Sequence, residues 1–91
     1  VKHMRDRTTI SNEVVGRYSF SRLTPNAQAL YFHLCFAADD EGVVINPTAV
    51  LNKVCAGNLD LDELISADFI ASLSESGVFI RHWAQHVGID Y

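Results

Sequence analysis

The sequence predicts an α+β fold, mainly helical, that finishes in a β-hairpin. Two cap-plus-proline signals, Thr24-Pro25 and Asn46-Pro47, each open a run with helical spacing of apolar residues. Asp60-Leu61-Asp62-Glu63 has the cap-x-x-Glu spacing that opens another helix. Two strand-like runs, Phe69 to Leu73 and Val78 to Trp83, flank the Gly-containing turn Ser74-Glu75-Ser76-Gly77.

The chain has 91 residues, 48% of them hydrophobic, which fits one small core and leaves no room for a second domain. Val1-Lys2-His3-Met4 reads as a cloning scar ahead of a native Met4, so residues 4–91 are taken as the single domain. No apolar run approaches the roughly 20 residues that span a bilayer, and no secretory signal is visible. Cys35 and Cys55 are too few for a disulfide framework or a zinc cluster, and read as reduced thiols of a cytoplasmic domain.

The elements follow in order. Thr8-Thr9-Ile10 is β-branched and is expected to form a short edge strand. Ser11 is a good N-cap for a helix over residues 12–18 that turns Val14 and Val15 inward, although Gly16 weakens it. From Pro25 a longer helix places Ala27, Leu30, Tyr31, Leu34 and Ala38 on one face. Phe32 and Phe36 lie nearly opposite, so this helix is either sandwiched in a core or packed on a partner chain. Asp39-Asp40-Glu41-Gly42 ends it, and Val43-Val44-Ile45 is a short β-branched run. A helix over residues 48–55 would carry Leu51, Val54 and Cys55 inward, with Gly57 in the turn after it. A helix over residues 60–67 would bury Leu61, Leu64 and Ile65, and the hairpin follows. Two short helices joined by a Gly-containing turn make a helix-turn-helix, and a hairpin directly after it makes the winged version.

Charge bears directly on function. The net charge is −4 with His neutral. Residues 39–75 hold eight acidic residues against Lys53 alone, while the front of the chain is mildly basic through Lys2, Arg5, Arg7, Arg17 and Arg22. A strong nucleic-acid binder shows a basic stripe, and this sequence has none. In a helix-turn-helix the second helix usually enters the major groove. Here that helix carries Asp62 and Glu63 and no cation, so pressing it on duplex phosphates would be repulsive. Carboxylates in a first helical turn suit capping and the helix dipole better. The DNA-contact candidates are therefore Arg81 and His82 on the wing, with Lys53, Arg22 and Arg17. The opposing reading is an assembly module, with Phe32, Phe36 and the free edge at Ile10 as the oligomer interface.

Leu30-Tyr31-Phe32-His33-Leu34, then Ala38-Asp39-Asp40-Glu41-Gly42 with Val44 and Asn46-Pro47, then Glu75-Ser76-Gly77-Val78, Ile80-Arg81-His82-Trp83 and His86, resemble the N-terminal domain of phage replisome organisers, the DnaD-like replication-initiation proteins. The resemblance runs from Thr24 to His86. It implies a winged-helix domain that acts without catalysis at the start of phage or prophage DNA replication. It also implies self-association, replication proteins as partners, and a further C-terminal domain that binds single-stranded DNA. The runner-up is a winged-helix transcriptional regulator that binds duplex DNA.

Enzymatic readings find little support in the residues. His82 and His86 are four apart, a spacing that suits two metal ligands on a helix, but the accompanying Glu of a zincin is missing and a wing histidine plus a surface histidine is the plainer reading. Cys35 and Cys55 with His33 suggest a nucleophilic pair only weakly, because Cys35 sits on an apolar helix and behaves as a small core residue. Asp39-Asp40-Glu41 lacks the spacing of a calcium loop. Neither a catalytic residue, a metal nor a cofactor is expected. Trp83 is expected to close the core, with its indole N–H partnered.

Overall fold

The computed structural model describes residues 8–73 and 77–87. The start at Met4, the basic residues Lys2, Arg5 and Arg7, and the turn residues Ser74 to Ser76 lie outside them. The order is α1 (Asn12–Val15), α2 (Tyr18–Ser21), α3 (Pro25–Ala37), β1 (Val43–Val44), α4 (Pro47–Lys53), α5 (Asn58–Ser66), β2 (Ile70–Ser72), β3 (Val78–Ile80) and α6 (Trp83–Val87). The α+β expectation holds: helices dominate and three strands form one antiparallel sheet in the order β1-β3-β2. Ile70, Ala71 and Ser72 face Ile80, Phe79 and Val78, and β1 joins the outer side of β3 with Val43 opposite Phe79.

The cap chemistry explains most boundaries. Thr24 stands extended before Pro25, and its hydroxyl accepts the Ala27 N–H at 3.2 Å. Ser11 caps α1 by accepting the Glu13 N–H. The single helix expected over residues 12–18 is instead two one-turn helices, interrupted at Gly16 and Arg17. Residues 8–10 form no strand; Ile10 packs against the core and the chain turns at once into the Ser11 cap. The capping box falls three residues earlier than its spacing suggested. Gly57 is the N-cap of α5, and the Asp60 carboxylate reaches back to accept the Gly57 N–H at 3.0 Å. Glu63 is thereby released to α3, where its carboxylate accepts from the Thr24 N–H at 2.8 Å and the Thr24 hydroxyl at 2.9 Å. It crosses between helices to satisfy the start of the longest one.

Helices α4 and α5 stop in the same way. Cys55 and Asp68 adopt left-handed φ values of 57° and 67°. The Ala56 N–H returns to the Leu51 carbonyl at 2.9 Å and the Phe69 N–H to the Leu64 carbonyl at 3.1 Å. Both are Schellman endings, built on residues that carry a Cβ. Cys55, expected inward on a helix, is thus exposed beyond the end of α4. Because glycine is the natural occupant of this position, Cys55→Gly is expected to raise stability by about 0.5–1 kcal/mol, read as a higher urea midpoint.

The core centres on α3. Ala27, Leu30, Tyr31, Leu34 and Cys35 are all buried, as is Ala38 just past its end. The second apolar face of α3 is covered from within the chain at Phe32, while Ala29 and Phe36 stay exposed. Phe20 of α2 meets Phe32 edgewise at 5.7 Å, and also meets Tyr31 and Phe69, each at 5.4 Å. Trp83 does close the core, although as the first residue of α6 rather than the end of β3, and its indole N–H donates to the Asp40 carbonyl at 2.9 Å.

The acidic turn before β1 is a structural device. The Asp39 carboxylate accepts from the Glu41 and Val43 N–H groups at 2.8 and 3.0 Å. Gly42 takes a φ of +85°, and its carbonyl accepts the Ile80 N–H at 2.9 Å, carrying the turn into the sheet.

Candidate nucleic-acid interface

The five residues expected to contact DNA do not form one surface. Arg17 is the N-cap of α2, and His82 lies in the turn between β3 and α6. They meet because α1 and α2 fold back across α6. The Arg17 guanidinium donates to His82 Nε2 at 3.4 Å and to Gln85 Oε1 at 3.4 Å. His82 is half-buried, with its ring edgewise to Phe69 at 5.8 Å. Arg81, its chain neighbour, is exposed, and its backbone N–H is held by the Phe69 carbonyl at 3.1 Å. Burial lowers the pKa of His82, and the positive charges of Arg17 and Arg81 lower it further, against an upward pull from Asp68. Its ring is therefore neutral near pH 7, with the proton on Nδ1 so that Nε2 can accept from Arg17.

Arg22 is engaged elsewhere. Its guanidinium donates to the Tyr18 hydroxyl at 3.1 Å and lies over that ring at 5.6 Å. Lys53 ends α4 and borders an open groove of about 380 Å³ between α3 and α4, shared with His33, Phe36, Ala37, Ala49 and Val50. Of the oligomer candidates, Ile10 and Phe32 are partly buried against the core, with Phe20 of α2 lying on Phe32. Phe36 remains 52% exposed. Other large apolar side chains also face solvent, among them Tyr18, Ile45 and Leu59. The outer face of α5 presents Asn58, Leu59, Asp62 and Ser66, and no cation.

His86, expected at the surface, is 1% exposed. Its Nδ1 accepts the Ser11 N–H at 2.9 Å, which places the ring proton of the neutral imidazole on Nε2. Nε2–H then donates to the Tyr31 hydroxyl, and that hydroxyl is left to donate to the Cys35 thiol. Burial and the influence of His82 push the His86 pKa down to about 4. Burial, followed by Cys35, pushes the Tyr31 hydroxyl well above the ordinary phenol value. Both ring nitrogens of His86 are committed, so His82 and His86 do not make a metal pair. Among the described residues, no group of three or more His, Cys, Asp or Glu side chains is placed to hold a metal ion. No helix among them is long and apolar enough to cross a membrane.

No family model matches this chain, and comparisons with curated proteins and with solved structures return no match either.

Proposed function

We propose that the chain is a winged helix-turn-helix module that works without catalysis in the initiation of phage or prophage DNA replication, as a self-associating replisome-organiser domain. In this reading α4 and α5 are the helix-turn-helix, β2 and β3 are the wing, and β1 is the strand that ties the wing to the body. The order of the elements supports it, together with the resemblance in the residues from Thr24 to His86.

One observation carries the emphasis on assembly. The helix that would read bases, α5, offers Leu59 at 83% exposure beside Asp62, and no cation. A face of that kind repels phosphates and suits a protein partner. Phe36 and Ile45 add further exposed apolar surface. Contact with duplex DNA is then weak, sequence-tolerant and strongly salt-dependent.

Light scattering at high protein concentration, with and without duplex DNA, tests this. A dimer or larger assembly in the absence of DNA is the expected result. A monomeric mass would overturn the assembly reading. Tight, sequence-specific duplex binding at about 150 mM salt would favour the transcriptional regulator instead.

A further inference from the structure

On the reading that the domain touches nucleic acid weakly, we infer that Arg17, Arg81 and His82 form a seat for one backbone phosphate. The Arg17 guanidinium donates to His82 Nε2 at 3.4 Å, and Arg81, exposed and next to His82 in the chain, is near enough for its charge to act on the same ring. The three residues come from opposite ends of the chain, so the grouping is a product of the fold. Neither Arg17 nor Arg81 forms an ion pair with a carboxylate among the described residues. An unneutralised pair of guanidinium groups on a chain of net charge −4 is a local exception to its surroundings.

The chemistry of the site suits a phosphodiester oxygen pair. The guanidinium groups donate in planar forks that match phosphate oxygens. The imidazole is neutral because burial and the two arginines disfavour its charged form. An arriving anion offsets the second of those causes; a proton taken up at Nε2 then breaks the bond from Arg17 and turns that nitrogen into a donor. The other groups that face His82 are Gln85, which shares the Arg17 guanidinium, His86 on α6, and Asp68 in the turn after α5. The Asp68 charge acts on the same ring and opposes an anion there, which keeps affinity low.

Arg22 and Lys53 provide the contrast. One lies on the Tyr18 ring and the other beside the α3–α4 groove, so neither belongs to the seat. The experiment uses a short duplex of arbitrary sequence at about 50 mM NaCl, with binding followed by fluorescence anisotropy. Arg81→Ala, an exposed side chain, and Arg17→Ala are each expected to weaken binding about fivefold or more. Each should also lower the slope of log K against log salt, by about 0.9 if it removes the phosphate contact. Arg22→Ala and Lys53→Ala are expected to change binding less than about twofold. Equal losses in all four variants would overturn the seat in favour of a diffuse field.

The ring provides a second readout. In NMR titrations of the unmodified chain, duplex is expected to raise the His82 pKa by about one pH unit, whereas inorganic phosphate at the same phosphate concentration should move it much less. An unmoved His82 would overturn the seat. Equal movements with both probes would overturn its assignment to nucleic acid. Light scattering on the Arg81→Ala sample separates this proposal from the broader reading: loss of duplex binding with the assembly intact supports the seat, whereas a monomeric mass in the unmodified chain counts against the assembly module alone.

Discussion

Replacing Gly42 with Ala is expected to destabilise the fold by about 3 kcal/mol, with two independent causes. The backbone at Gly42 has φ +85°, a region that costs an L-residue roughly 1–2 kcal/mol. A Cβ there would also lie 2.5 Å from Cγ and 2.7 Å from Cβ of Trp83. Those atoms belong to a buried side chain anchored through its indole N–H to the Asp40 carbonyl, so they cannot swing away freely. Overpacking of this kind costs about 1–3 kcal/mol. A domain of this length is stabilised by only about 5–13 kcal/mol, so the loss is a large share of the whole. Trp83 is the only tryptophan, so its fluorescence in a urea titration reports on the position under strain. Adding Trp83→Leu to Gly42→Ala should recover the packing part of the loss relative to Trp83→Leu alone, when circular dichroism is the probe. An unchanged urea midpoint in the Gly42→Ala chain would show that the turn relaxes without cost.

Acidification is expected to produce the second large effect, through His86. Its folded pKa of about 4 lies below the ordinary value of 6.5, so between those limits the unfolded chain binds a proton that the folded chain refuses. The stability contributed by keeping this ring neutral is complete above pH 6.5. It falls as the pH drops toward 4 and changes no further below that. The size is about 3 kcal/mol, because a difference of one pH unit between the folded and unfolded pKa is worth about 1.4 kcal/mol. His82, also lowered, acts in the same direction. Protonation also places a second donor against the Ser11 N–H, so residues 8–23 are the first to loosen. Urea midpoints measured from about pH 7 to about pH 4.5 should decline steeply in the unmodified chain. In His86→Gln, already weakened at neutral pH, they should decline much less. Parallel declines in the two chains would remove His86 as the source.

Elements with a local chemical signature were legible in the sequence. Thr24-Pro25 marks the start of α3, Asn46-Pro47 that of α4, and the hairpin pairs within its two strand-like runs, although the second strand ends at Ile80 and not at Trp83. The start of α5 is harder to place because two acidic residues, Asp60 and Glu63, both fit a capping role. Only the distance to Thr24 decides which of them caps which helix, and that distance spans 39 positions of sequence. The fate of the second face of α3 is open in the sequence for the same reason. Phe32 is covered by Phe20, which lies in a one-turn helix too short to show a period.

The candidate site was legible in its parts and not in its arrangement. Arg17, Arg81 and His82 are each identifiable as DNA-contact candidates, and nothing local foretells that the first reaches the third. His86 departs furthest from its expected place. A lone histidine near polar residues reads as exposed, and its partners Tyr31 and Ser11 are 55 and 75 positions away. The one hint is Tyr31, an inward-facing residue whose hydroxyl has to find a partner somewhere.

The Ser11–His86 bond also determines how the molecule bears mechanical load. The described stretch is clasped near both of its ends by this bond. A pull that draws those two ends apart loads the amide–imidazole link and the neighbouring Arg17 contacts. Separating α1 and α2 from α6 has to break these bonds and also draw Val14 and Phe20 out of the core.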